Sequence, residues 1–477
     1  MQKISLMTPW LAGALVRQAS LMTGPEIRAL QRERLLILLD YARQHSPYLR
    51  EKYLELPDYP ELSDIPITLR EEAMPCLDRW VCDSEITGPG LDSYLSRLDE
   101  TSVSSPFLGR YRVLTTSGTT GVPLRMIRDD RHNLVHAALI SQRLLGSGKT
   151  EGNPVPALPY PRTAGVISRG GFSSTYLSFL RTKKAYEAAG RGGEILPLFV
   201  EMATDEMVEA LNDFQPRFLI GYPSNIRILA GRQRLGKLDI SPDLITCSAE
   251  HLSLEDIHYI EESFGCPVLN NYCSTEGGEV ACLCRENHMH LNSDWVIVEP
   301  VDRAMQPLAP GQESDGILLT NLANLVQPFI RYYVSDRIVM HEEACACGSP
   351  FPYIDIEGRK EDKLSFQDKG GAWIELPSAL FIAISLDTPN CGQVQFVQRG
   401  PSRMEIRCIP EDGEGHEQLC RNLFDITKDR LTREGLGDLE LTTSPERPIL
   451  GKSGKMLNTL RLMDGERANV PFDKKES

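Results

Sequence analysis

Apolar side chains at Leu35, Leu36, Leu38, Leu39 and Ala42 recur among charged ones between Leu30 and Tyr53. This is the spacing of one helical face, and it predicts an amphipathic helix running into Ser46-Pro47-Tyr48. Pro57, Pro60 and Pro66 then mark an extended connector. Tyr111 to Leu114 and Val122 to Ile127 read as extended segments around a run of hydroxyls and glycines, and a helical pattern follows from Asp129 to Leu145. Further on, short apolar runs at Phe218–Gly221, Leu244–Cys247 and Val268–Leu269 are spaced by helical patterns at Asp205–Phe214 and Ser253–Phe264. That alternation predicts an α/β sheet with helices on its faces.

The pattern changes after about residue 290. Trp295–Val301, Gly316–Leu319 and Phe329–Val334 read as strands with few helices between them, which predicts a small β subdomain. From Gly358 onward, strands at Val394–Arg399 and Met404–Cys408 and a helix at Gly415–Leu431 predict a separate α+β module. The expected organisation is therefore an α/β N-terminal domain over 1–357 with a small β subdomain, and a mobile C-terminal α+β domain over 358–477. The charged run Gly358-Arg359-Lys360-Glu361-Asp362 is the expected hinge.

Composition narrows the function. At 477 residues, with 41% hydrophobic and 25% charged residues, the chain is an ordinary globular protein with room for two or three cores. A net charge of −15 argues against a nucleic-acid partner, whose backbone rewards Lys/Arg clusters. No apolar run reaches membrane-spanning length. Ile4 to Val16 is faintly like a signal peptide, but Pro9 interrupts it and Arg17 closes it, so a reducing cytoplasm is expected.

Chemistry is concentrated in a few strings. In Thr115 to Gly121 the glycines let the backbone aim N–H groups at one anion and the hydroxyls add uncharged donors, which suits phosphate, although a plain turn fits the same composition. Gly146-Ser147-Gly148-Lys149-Thr150 fails the Walker pattern, because Arg143 stands where a glycine is needed. Asn271 to Gly278 sets Glu276 among hydroxyls after an apolar strand, where a carboxylate can hold a divalent cation or simply form an exposed turn. Asp336 follows the Arg331–Val334 strand and can accept from ribose hydroxyls, and Lys455 lies in the flexible Gly451–Lys455. Cys282-x-Cys284-x3-His288-x-His290 and Cys345-x-Cys347 offer the soft donors of tetrahedral zinc, or free thiols.

Taken in order, these strings resemble the adenylate-forming superfamily of acyl-coenzyme A ligases, and within it the phenylacetate–coenzyme A ligase branch with its capsule-biosynthesis and coenzyme F390 synthetase-like relatives. The resemblance begins at Leu36 to Tyr48 and continues through Ser117–Gly121, Gly221–Ser224, Tyr272–Glu276, Arg331–Asp336, Gly358-Arg359 and Ser453–Lys455. It implies that Thr116, Ser117, Gly118, Thr119, Thr120 and Gly121 cradle the ATP phosphates. Ala249 and Glu250 would line the adenine, Tyr272 would stack on it, and Thr275 would meet the phosphate. Glu276 would hold magnesium, Asp336 the ribose with Arg359 nearby, and Glu361 would be the hinge. Lys455 resembles the lysine that catalyses the first half-reaction.

The implied reaction joins a carboxylic acid, with an aromatic acid as default, to coenzyme A through an acyl-adenylate. Carrier-protein phosphopantetheine or an amine is an alternative acceptor, and a non-catalytic nucleotide-binding protein is the remoter reading. A homodimer is left open, and an acid pocket is placed near Tyr222, Pro223 and the Tyr160–Thr163 segment. The same resemblance selects Cys284, His290, Cys345 and Cys347 as ligands of a structural zinc, about one per chain. Three departures stand out: Pro123-Leu124-Arg125 lacks the lysine many members carry, Cys273 and Ser335 replace glycines, and the hinge acid is Glu361 rather than Asp.

Overall fold

The computed structural model describes residues 7–98, 105–116, 124–147, 162–167, 174–191, 194–200, 202, 204–250, 252–359, 364–376, 378–410, 413, 415–449 and 457–463. Two compact units form, one from 1–159, 171–195 and 269–356, the other from 160–170, 196–268 and 357–477.

In the first unit the predicted N-terminal helix is two. Thr23 and Glu26 form a capping box that opens Gly24–His45, and Ile27, Leu35, Leu38, Leu39 and Ala42 are buried on one face. Pro47 has no N–H to continue the ladder, so Ser46 takes an extended conformation and its hydroxyl caps a second helix, Pro47–Lys52. The helix is tied down by charge as well. Asp294, fully buried, pairs with Arg34 at 3.7 Å and Arg143 at 2.6 Å, and the Arg34 guanidinium lies 3.5 Å from the centre of the Trp295 ring.

The two extended segments pair: Arg112–Thr116 runs antiparallel to Leu124–Arg128. Asp129 caps the following helix, Asp130–Leu139, which continues as a wider turn over Ile140–Leu144. The small β subdomain is an antiparallel sheet of Val296–Val301, Gly316–Asn321 and Tyr332–Val334. Its third strand is shorter than the predicted Phe329–Val334, because Arg331 sits at φ 44° and breaks the extended run. Its side chain bonds Glu299 through Nε, at 3.1 Å, and the Ile65 carbonyl, at 2.6 Å. The unit's other strands run in the order Asp336–His341, Tyr353–Arg359, Met289–Leu291, Gly278–Leu283, Val268–Ser274.

The second unit holds the α/β pattern read from the middle of the chain. Its strands follow the order Leu244–Ser248, Phe218–Gly221, Thr163–Ile167, Ile195–Phe199, with parallel register at Thr163↔Phe218 and Phe218↔Leu244. Helix Pro223–Arg234 links two of them in a βαβ crossover, and Leu254–Phe264 follows the last. The C-terminal part is α+β. Cys391–Gly400 and Arg403–Pro410 pair antiparallel and are flanked by parallel strands Thr459–Arg461 and Glu440–Ser444. Helix His416–Arg433 packs Leu419, Leu423 and Leu431 into a core with Phe366, Phe381, Phe396 and Ile406. Among the described residues, no helix is long and apolar enough to cross a membrane.

Candidate functional site

The turn between Val268–Ser274 and Gly278–Leu283 is held from all sides. The Ser274 hydroxyl accepts from the Gly277 N–H at 2.8 Å, the Thr275 carbonyl accepts from Arg128 at 3.1 Å, and the Glu276 carbonyl accepts from Asn321 at 2.8 Å. The Glu276 carboxylate, 5% exposed, accepts from Arg70 at 3.1 Å. Arg70 is delivered by the proline-rich connector. The Thr68 N–H donates to the Arg331 carbonyl and the Tyr333 N–H to the Thr68 carbonyl, which docks the segment on Tyr332–Val334. There the Arg70 guanidinium also donates to the Tyr332 hydroxyl, at 3.2 Å. Tyr332 leads directly to Asp336, itself buried, whose carboxylate accepts from the half-buried Tyr272 hydroxyl at 2.5 Å.

So the first unit holds all four residues by named partners: Glu276 by Arg70 and Asn321, Thr275 by Arg128, and Tyr272 and Asp336 by one another. Thr116 ends the strand before the glycine-rich loop; Ser117, Gly118, Thr119, Thr120 and Gly121 lie outside the described residues, as do Glu361 and Lys455. In the second unit, Ala249 follows strand Leu244–Ser248 at φ 75°, a left-handed conformation rare for a residue with a Cβ and found where a loop must aim its backbone. The next residue, Glu250, accepts from the Ser224 N–H at 3.1 Å, fastening this loop to helix Pro223–Arg234. Arg359 is the last residue of strand Tyr353–Arg359. Of the residues placed near an acid pocket, Tyr222 is buried, Pro223 opens its helix, and Arg162 and Thr163 begin the described part of their segment.

The metal-ligand candidates converge within the first unit. Donor atoms of Cys284, His290, Cys345 and Cys347 all lie within 4.8 Å of one another. His290 is held in the correct tautomer for a ligand: its Nδ1 donates to the Phe351 carbonyl at 2.7 Å, leaving Nε2 beside the Cys347 sulfur at 3.3 Å. Burial, first among several influences, keeps His290 below the ordinary imidazole value. The donor set and its spacing fit a closed tetrahedral thiolate–imidazole site. His288 stacks on Tyr353 and its Nδ1 lies 3.2 Å from the Cys345 sulfur, at the edge of the cluster. The Cys282 thiol lies elsewhere, 3.4 Å from Glu279.

Sequence reasoning missed a buried polar group beside the Glu276 turn. Glu279, 1% exposed, accepts from Asn271 at 2.7 Å and from the Cys273 thiol at 2.9 Å, and His136 lies 3.8 Å away. Asn321 reaches both the Glu276 carbonyl and His132 Nδ1. Gly278, at φ +72°, lets the turn approach His132, whose Cε1 is 2.9 Å from where a Cβ would stand. The i, i+4 spacing of His132 and His136 after the loop was the available signal.

Burial, then the Arg128 charge, pulls His132 well below its ordinary 6.5 and His136 down to about 3. Below pH 6.5 the unfolded chain takes up protons that the folded one refuses, so this stability is complete above 6.5 and is lost as the pH falls toward 3. Glu279, pushed up by burial, works oppositely above 4.5. His136 alone costs about 1.4 kcal/mol of stability between pH 7.5 and 5.5, which should lower Tm by about 1–2 °C, and His136→Asn should flatten this slope. An unchanged wild-type Tm across that range would contradict the assignment.

No family model matches the chain. Over 371 residues it is 25% identical to phenylacetate-coenzyme A ligase of Thermus thermophilus, covering 73% of this chain and 74% of that protein. In sequence the chain is therefore similar to the phenylacetate–coenzyme A ligase-like branch of the adenylate-forming ligases. A second relative is protein CapK of Staphylococcus aureus, 27% identical over 225 residues and 45% of this chain. The fold is similar to that of a 2-hydroxyisobutyryl-CoA ligase crystallised in the postadenylation state, with TM-score 0.63, 16% identity and coverage of 96% of this chain and 90% of that one. An anthranilate CoA ligase matches at TM-score 0.50 and 15% identity over 72% of this chain and 64% of that one.

Proposed function

We propose that this ligase activates a carboxylic acid, an aromatic acid foremost, as its acyl-adenylate and passes the acyl group to coenzyme A. The observation that carries this reading is the clamped turn bearing Glu276, linked through Arg70 and Tyr332 to the strand that leads into Asp336. In the first step a carboxylate oxygen attacks the α-phosphorus of ATP, the bond to the β-phosphate oxygen breaks, and pyrophosphate leaves. In the second the thiol sulfur attacks the acyl carbonyl carbon, AMP leaves, and the thiol proton passes to solvent.

Thr116 to Gly121 are assigned to the β- and γ-phosphates, Ala249, Glu250 and Tyr272 to the adenine, Thr275 to the α-phosphate, and Asp336 and Arg359 to the ribose. The Tyr272 hydroxyl anchors the Asp336 carboxylate, so the ring and the ribose acceptor are set by one hydrogen bond. Glu276 offers hard oxygen to a magnesium ion, which when bound supplies positive charge to the phosphates. Arg70 holds that carboxylate in place. Lys455 supplies the mobile positive charge of the adenylation step, withdrawn when the 358–477 module turns about Glu361. Cys284, His290, Cys345 and Cys347 hold a structural zinc that fastens 284–290 to 345–347. No disulfide joins any of the twelve cysteines, which supports a reducing, cytoplasmic setting.

Asp336→Asn should raise KM for ATP about tenfold, the cost of weakening one charge-assisted hydrogen bond, with a smaller change in kcat. An unchanged KM for ATP would remove Asp336 from the ribose. The acceptor is tested by product analysis with one activated acid offered coenzyme A, a phosphopantetheinylated carrier and amines. Acyl-coenzyme A as the main product supports the reading, and amide or acyl-carrier in its place overturns the choice of thiol.

A further inference from the structure

Thiol and imidazole groups converge a second time, in the C-terminal part of the second unit. Cys408 is buried on strand Arg403–Pro410, His416 is the first residue of helix His416–Arg433, and Cys420 lies one turn further along the same helix face. The Cys408 sulfur is 3.5 Å from the Cys420 sulfur and 3.9 Å from His416 Nε2, and the Cys420 sulfur is 3.8 Å from that same nitrogen. All three donor atoms fall within 4.8 Å of one another. An ion about 2.3 Å from sulfur and about 2.0 Å from nitrogen, at tetrahedral angles, separates two sulfurs by roughly 3.8 Å and sulfur from nitrogen by roughly 3.5 Å. The triangle's edges of 3.5, 3.9 and 3.8 Å lie within about 0.4 Å of that geometry.

The surroundings fit the same chemistry. The strand pair places Cys391 opposite Pro410 and Val394 opposite Cys408, with the register shift at Cys391/Gln393 keeping Cys391 on the face that carries Cys408. Cys391 and Cys408 are buried in the core under this helix and Cys420 packs against it from the helix, a concentration of sulfur that an apolar core does not require. His416 and Cys420 are half-buried, so the donors open to solvent at the helix start. We propose that Cys408, His416 and Cys420 form a second metal site, which takes a thiophilic divalent cation of the zinc class and leaves its fourth position to water. Binding forms two metal–sulfur bonds and one metal–nitrogen bond and sends the two thiol protons to solvent. The loop it closes is short, so it fixes the start of the helix rather than stapling distant segments, and its open position makes the ion exchangeable.

The test is titration of the full-length, reduced, metal-stripped protein with cobalt(II), read by thiolate-to-cobalt charge-transfer absorption. Wild type should bind about two equivalents per chain, and His416→Ala, Cys420→Ser and Cys347→Ser about one each. Because His416 is half-buried, His416→Ala should stay folded, and zinc should also slow alkylation of Cys408 and Cys420 in unmodified wild type. Saturation unchanged by His416→Ala, alkylation unaffected by zinc, or a Cys408–Cys420 disulfide formed in place of metal binding would each overturn the proposal. Loss of carboxylate activation leaves this result untouched, since neither readout uses turnover.

Discussion

Lys455→Ala will slow pyrophosphate release by about 10²–10³-fold, or ~3–4 kcal/mol of transition-state stabilisation, while thiolysis of a supplied acyl-adenylate changes little. The asymmetry follows from where charge develops. Attack on the α-phosphorus builds negative charge on the phosphoryl oxygens and the departing pyrophosphate, and a desolvated ammonium is worth most at that moment. Attack of a thiol on the acyl carbonyl develops its charge elsewhere, and under the proposed mechanism the module carrying Lys455 turns away before that step. The glycine-rich loop ends Pro123-Leu124-Arg125 without a lysine, so Lys455 carries the requirement alone in this reading. Lys455→Arg should rescue little, because a planar guanidinium does not reproduce a compact ammonium. Equal losses in both steps would remove Lys455 from the adenylation step.

The second large effect is on stability. Chelating the Cys284, His290, Cys345 and Cys347 site, or replacing Cys345 by Ser, should cost about 4 kcal/mol, the linkage value for a ligand at about a thousand times its dissociation constant. Tm should fall by about 4 °C. The loss is large because the ligands close a long loop and because removal leaves buried thiols and an oriented imidazole facing one another. Burial raises the Cys284 thiol and pushes Cys347 up to about 12, so without metal both stay protonated and add no charge to hold the cluster together. Zinc-free protein with unchanged Tm and full activity would contradict the staple.

Much of this was legible in the chain. Period and punctuation gave the two-character organisation: alternating short apolar runs and helical patterns in the middle, and an α+β pattern after Gly358. The boundaries that failed have local causes. Pro47 split one predicted helix, and the left-handed backbone of Arg331, fixed by its side-chain contacts to Glu299 and Ile65, shortened one strand. Neither contact has a sequence signature. The candidate site was legible as an ordered set of motifs because each is local, a few residues whose chemistry can be read together. Its supports were not. Arg70 reaches Glu276 across 206 positions, and Asn321 reaches the same residue's carbonyl across 45, so nothing near either residue announces the contact. The Cys408, His416 and Cys420 cluster was likewise hidden, since a strand and a helix had to pack before its spacing meant anything.

The central claim is adenylation of a carboxylate, and the most direct measurement is carboxylate-dependent exchange of labelled pyrophosphate into ATP, run without any thiol over aromatic, amino and fatty acids. The account predicts exchange with at least one aromatic acid, AMP rather than ADP as the nucleotide product once coenzyme A is added, and loss of exchange in Lys455→Ala. ATP binding with no carboxylate-dependent exchange, or release of ADP and phosphate instead, would contradict it.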